Sequence, residues 1–164
     1  MPINCKFKLD KRELSSLRCE GVGEFAAFSG RDGIFKNNAD YSDRAGVGLL
    51  PVGRYYIVDR GSGGFFSRLY TSAVDWVNDN DHSTWFALYR DDGKVDDETF
   101  VNGVRRGNFR LHPHGRLNLS EGCITLSDKA AFIRLRKTGC ARACLRPSAC
   151  RYPAERVLRT ALSR

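Results

Sequence analysis

Two histidines and a cysteine stand close together in Arg110-Leu111-His112-Pro113-His114-Gly115-Arg116-Leu117-Asn118-Leu119-Ser120-Glu121-Gly122-Cys123-Ile124-Thr125, where the cysteine sits in a Ser-x-Gly-Cys turn. A thiol near neutral pH is mostly protonated, and only the thiolate attacks carbonyls well. An imidazole within reach can hold or remove that proton, which is the minimum apparatus for a covalent acyl-enzyme. Gly122 has no Cβ, so it permits a tight turn whose N–H groups, with that of Cys123, can face a developing oxyanion. The Ser120 hydroxyl can cap the turn or orient a histidine. In an extended segment His112 and His114 project to the same face, so periodicity alone does not choose the base. Arg110 and Arg116 flank the motif and have the geometry to hold a substrate carboxylate bidentately.

The elements that must position these residues are mostly short strands. Residues 4–9 alternate, with Cys5, Phe7 and Leu9 on one face, and residues 14–19 can return antiparallel. Cys5 and Cys19 flank the turn Asp10-Lys11-Arg12-Glu13 and can face each other and pair in an oxidising compartment. Residues 24–28 are short, aromatic and β-prone. Residues 31–45 read as a polar loop in which Lys36 and Asn37 are candidate substrate contacts, although asparagines in loops commonly just make turns. Residues 54–59 form the clearest strand, after Pro51-x-Gly53, and residues 61–64 are a glycine-rich break. Residues 65–107 are expected to be an excursion between core strands, a cap over the site or an exposed loop region. It holds a short helix over 69–77, His82 in a polar turn and a strand over 84–90. A strand over 108–112 then delivers His112. Leu126-Ser127-Asp128 offers an N-cap for a helix over 129–136 that buries Ala131, Phe132 and Leu135, and residues 153–162 read as an amphipathic helix.

The nucleophile string is similar to the catalytic signature of the L,D-transpeptidase (YkuD-like) family, and most similar to its small type VI secretion effectors. Gly21-Val22-Gly23-Glu24-Phe25-Ala26-Ala27-Phe28-Ser29-Gly30, Gly33-Ile34-Phe35-Lys36-Asn37-Asn38 and Gly48-Leu49-Leu50-Pro51-Val52-Gly53-Arg54-Tyr55-Tyr56-Ile57-Val58-Asp59-Arg60 carry the resemblance further, to cover roughly residues 20–133. Glu121 stands where a second histidine is usual in the broader family, and the His-to-Cys spacing is short; both traits fit the effector subgroup. The resemblance implies a mainly β fold with short helices (α+β), a sandwich or barrel core and a loop-rich cap insertion. The catalytic domain is expected over 1–136, with a basic, Cys-containing tail over 137–164. It implies Cys123 as nucleophile, His112 as base in preference to His114, and Ser120 and Gly122 in the catalytic turn. It also implies L,D-carboxypeptidase or D-amino-acid exchange activity on peptidoglycan stem tetrapeptides, without cofactor. The expected partners are the stem peptides, a cognate immunity protein and a component of the secretion apparatus. A non-catalytic peptidoglycan-binding module and a basic nucleic-acid-binding protein are the alternatives.

Composition bounds these readings. At 164 residues, 41% apolar and 28% charged, the chain suits one domain with a proper core. No run approaches a membrane span, and residues 1–10 lack the apolar stretch of a signal peptide. That absence suits a cytosolic protein and an injected one equally; the resemblance implies synthesis in the cytoplasm, export by another apparatus and action in a target-cell periplasm. The net charge of +8 is uneven: residues 1–128 hold 17 Lys/Arg against 18 Asp/Glu, and residues 129–164 hold ten against the single Glu155. A basic tail can bind nucleic acid, an anionic wall polymer or an acidic protein. Only Phe132 and Tyr152 offer aromatic faces there, too few for a base-stacking series, so nucleic acid is not the expected partner. The six cysteines contain no Cys-x2-Cys pair, and no metal is expected.

Overall fold

A computed structural model describes residues 3–59, 84–94, 96–115, 120–143 and 158–163. Alternation builds the first strands. In β1 (Asn4–Lys8) Cys5 and Phe7 are buried while Asn4, Lys6 and Lys8 are exposed, and β2 (Ser15–Cys19) buries Leu17 and Cys19. The two pair antiparallel with Cys5 directly opposite Cys19, and a disulfide joins them, as expected from the sequence. β3 (Gly23–Phe28) continues the meander against β2. Two 3-10 turns, at Gly33–Phe35 and Ala39–Tyr41, punctuate the expected loop before β4 (Arg54–Asp59).

β5 (Phe86–Arg90) pairs antiparallel with β4, and β8 (Arg110–Pro113) pairs with β5. β9 (Ile124–Leu126) lies between β8 and β3, parallel to the first and antiparallel to the second. Together with β10 (Leu158–Ser163) these strands close into a barrel ordered β1-β10-β4-β5-β8-β9-β3-β2. A closed sheet leaves no unpaired edge and encloses one apolar interior. Phe7, Leu17, Leu49, Leu50, Tyr55, Ile57, Leu88, Leu111, Ile124 and Leu126 are each at most 2% exposed in it. The mainly β, barrel-like expectation holds.

Three differences from the sequence expectation have local causes. Residues 153–162 are not an amphipathic helix throughout: Leu158–Ser163 is a strand, parallel to β1 and antiparallel to β4. Its period is also two, with Leu158, Thr160 and Leu162 alternating with Arg159, Ala161 and Ser163, and the backbones of β1 and β4 each need a partner there. The helix α1 starts as expected, with Asp128 carboxylate oxygens accepting from the N–H groups of Ala130 (2.9 Å) and Ala131 (3.2 Å). It runs through Lys129–Ala143 rather than stopping at 136, and buries Ala131, Phe132 and Leu135. Finally, the described part of the 65–107 excursion contains a separate hairpin of β6 (Glu98–Val101) and β7 (Val104–Gly107). Its turn is Asn102-Gly103, both at positive φ (50° and 78°), the backbone that matches strand twist in a two-residue hairpin. The expected helix over 69–77 and the turn holding His82 lie outside the described residues.

Candidate active site

β8 and β9 run parallel with Leu111 beside Ile124 and His112 beside Thr125. Leu111, Ile124 and Leu126 enter the barrel core, so the alternate residues Arg110, His112 and Thr125 stand on the other face. Cys123 immediately precedes β9 and falls next to Arg110, whose backbone N–H is bonded to the thiol. Sγ also lies 3.9 Å from the Asn108 carbonyl. The Ser120 hydroxyl, fully buried, donates to the Cys123 carbonyl at 2.8 Å and closes the turn. Gly122 has φ +105°, and a Cβ there would stand 2.8 Å from the Phe109 ring and 2.9 Å from Arg106 Nη2. Only glycine fits that backbone and that space.

Burial pushes the Cys123 thiol up to about 11, against the pull of the Arg110 N–H and guanidinium, with Glu121 and Asp97 adding to the rise. The resting group is therefore a thiol, not a thiolate, at neutral pH. Any attack it makes must be coupled to loss of its proton.

His112 is buried and stacks on Trp85, ring centroids 4.3 Å apart and planes 19° from parallel. Its Nδ1 lies 2.8 Å from the Pro113 carbonyl, which only accepts, so Nδ1 carries the proton. In the neutral ring Nε2 is then unprotonated, and it faces Thr125 Oγ1 at 3.3 Å. His114 has other surroundings: its side chain is exposed, its N–H is bonded to the Leu126 carbonyl at 2.8 Å, and its ring meets the edge of Phe28 at 6.3 Å. The two histidines, on one face by periodicity, thus differ in burial and in stacking.

The remaining residues singled out in the sequence have prior commitments. Arg110 makes a two-point bond to Asp97 (2.7 and 2.8 Å) and a third bond to the Phe109 carbonyl at 2.7 Å. Asn37 is fully buried; its side chain accepts from the Ser29 N–H (2.9 Å) and donates to the Arg12 carbonyl (2.8 Å), so it knits loop to hairpin. The buried Lys36 ammonium is bonded to Glu13 and Asp32 and lies 4.3 Å over the Phe28 ring. Burial opposes its charge, but the two carboxylates outweigh that and raise its pKa. Glu121 pairs with Arg31 at 3.0 Å on the surface. Arg116 lies outside the described residues.

Two residues that touch this site were missed in the sequence. Arg106 on β7 is buried against Gly122 and donates to the Ser42, Gly48 (3.1 Å) and Leu49 (3.2 Å) carbonyls. Burial lowers its pKa despite the nearby Tyr55 and Asp43. Asp97, just ahead of β6, holds Arg110. The signal that could have placed both is the Asn102-Gly103 dipeptide, a strong short-range hairpin marker.

Comparison with protein families matches residues 23–146, about three quarters of the chain, to the Tlde1 domain. The chain belongs to that family, a family of type VI secretion effectors. No curated protein matches it. Among the described residues no helix is long and apolar enough to cross a membrane.

Proposed function

We propose that this member of the Tlde1 domain family is a cysteine acyl-transfer enzyme of the L,D-transpeptidase type. Its substrates are peptidoglycan stem tetrapeptides, from which it trims or exchanges the terminal D-amino acid. The observation that carries the reading is the placing of Cys123 and His112 on one face of the paired strands β8 and β9, in a turn that admits only glycine before the cysteine. Sγ attacks the carbonyl carbon at the L-centre of the diamino acid as its proton passes to His112 Nε2. The N–H groups of Gly122 and Cys123 stabilise the oxyanion. The C–N bond to the terminal D-alanine then breaks, and the departing amine takes the proton from the same imidazole. Water attacking the thioester gives the trimmed tripeptide; the amine of a free D-amino acid gives exchange. Passing the proton during attack accommodates a thiol that rests protonated.

As an effector, the protein is carried by the secretion apparatus into a rival cell, acts in its periplasm, and is countered in the producer by an immunity protein. The test is mass spectrometry of purified peptidoglycan after incubation with the protein. Tripeptide or exchanged stems are expected with the wild type and not with Cys123→Ala. Unaltered stems with both would overturn the reading.

The raised pKa of Cys123 and the buried, stacked His112 favour one competing reading, a peptidoglycan-binding module with a structural thiol. That module would sediment with peptidoglycan sacculi while leaving every stem intact, and Cys123→Ala would bind as well as the wild type.

A further inference from the structure

We propose that Asp97, reaching in from the β6–β7 hairpin, governs the reactivity of Cys123 by holding and neutralising Arg110, the cation beside it. The inference rests on reading Cys123 as the nucleophile and deepens that reading by adding a positioning residue.

Asp97 is joined to both residues that touch the sulfur. Its carboxylate takes the two-point bond from Arg110, and its backbone carbonyl accepts from the Asn108 N–H at 3.3 Å. Arg110 in turn gives Sγ its backbone N–H, and the Asn108 carbonyl lies 3.9 Å from Sγ. The approach is close enough that Gly107 is obligatory, since a Cβ there would meet the Asp97 carbonyl oxygen at 2.0 Å. The Arg110 side chain is only 12% exposed, so solvent screens it little and its charge bears on its neighbours. A cation beside a thiol favours the thiolate, whereas a carboxylate bonded to that cation cancels much of the effect.

The other charged or titratable groups around the turn include Tyr89 on β5, which acts on Arg110. Glu121 lies in the cysteine loop and is itself paired with Arg31. Arg106 on β7 is turned to the carbonyls of residues 42, 48 and 49, and His112 lies two positions along β8 with Nε2 on Thr125. The Arg110–Asp97 pair thus places a bonded cation and anion next to Cys123, beside the surface carboxylate of Glu121. Its two-point geometry keeps Arg110 in place, since the Phe109 carbonyl and, at 3.5 Å, Asn108 Oδ1 also receive its donors.

The test is alkylation of Cys123 by iodoacetamide across pH, on the full chain with its disulfide oxidised, read by mass spectrometry of the Cys123 peptide. Asp97→Asn keeps an acceptor for Arg110 but removes the negative charge, so the half-reaction pH is expected to fall by up to about 1 unit. Asp97→Glu should restore it. Arg110→Gln should raise it, because the cation beside the sulfur is gone. An unchanged midpoint in Asp97→Asn with a lowered Tm would reduce Asp97 to a structural tie, and a raised midpoint would also overturn the proposal. If Asp97→Asn does not fold, an unmoved midpoint in Arg110→Gln overturns it independently. Alkylation needs no peptidoglycan, so intact stems alongside a shifted midpoint would sink the proposed function alone, and the reverse result would sink only this inference.

Discussion

Cys5 and Cys19 lie cross-linked in the same buried cluster as Phe7, Leu9 and Leu17, while Cys123, a third buried or half-buried cysteine of the same barrel, is left as a thiol among charges. The β1–β2 hairpin is held by side chains that need only be apolar and alternate in register, plus one covalent bond. The cysteine loop is held by directional polar ties: Ser120 to a carbonyl, Arg106 to three carbonyls, and Asp97 to Arg110. Apolar packing tolerates small shifts, but a hydrogen bond specifies position to a few tenths of an ångström. The loop that holds the proposed nucleophile is built from the second kind of bond, with the consequence that losing one partner leaves the other buried and unsatisfied.

The largest expected effect removes chemistry and leaves the polar frame. His112→Ala should lower stem processing about a thousandfold or more, as should Cys123→Ala, and the double variant should be no worse than either, because base and nucleophile act as a unit. His114→Ala, whose side chain is exposed beyond the strand, should cost far less. The measurement is turnover of tetrapeptide stems by chromatography and mass spectrometry. A larger loss with His114→Ala than with His112→Ala would move the base two residues along the chain.

Next in size is the frame itself. Arg106→Met strands the Ser42, Gly48 and Leu49 carbonyls and should cost about 1.5–3 kcal/mol in urea unfolding. The neighbouring Arg105, an exposed partner of Glu98, should change stability by no more than about 1 kcal/mol when replaced by Met. Equal effects at the two positions would break the contrast between the regions. On the other side of the barrel, replacing Cys5 and Cys19 together by Ser should cost about 3 kcal/mol, the loop-closure value for a sequence separation of 14. Turnover per folded molecule should be unchanged, since none of the polar ties at the cysteine loop runs through that hairpin.

The same contrast explains what could be read from the chain. Period-two alternation in residues 4–9 and 14–19 announced β1, β2 and their disulfide because an apolar face leaves a mark at every second residue. The Ser-x-Gly-Cys turn was legible because its positive-φ glycine and the Ser120 bond to the Cys123 carbonyl lie within four consecutive residues. Arg106 and Asp97 were not legible as site residues, because each acts on partners distant in sequence and an arginine bonded to carbonyls looks like any other in a string. β9, only three residues long, and β10 emerge from pairing with strands far away in the chain, which local periodicity does not record.

The last expected effect turns on the thiol's protonation and tests whether the polar frame keeps Cys123 from water. Burial holds its pKa at about 11, above the ordinary value of 9.0, so the folded state keeps a proton that the unfolded chain gives up between those pH values. Stability from this group is therefore complete below about pH 9 and is lost as pH rises through about 11, with a total of about 3 kcal/mol. Tyr55, whose burial also raises its phenol above the ordinary 10.0, adds a loss beginning at higher pH, and Arg90 and Arg106 nearby only temper it. The unfolding free energy of the wild type minus that of Cys123→Ala, followed from pH 8 to 11, removes the tyrosine's share because both proteins retain it. Cys5 and Cys19 are bonded and do not titrate, so they drop out of the difference as well. The difference should hold to about pH 9 and shrink from there to pH 11; a flat line would mean that the sulfur meets water freely, and the charges around it would then have little hold on its reactivity.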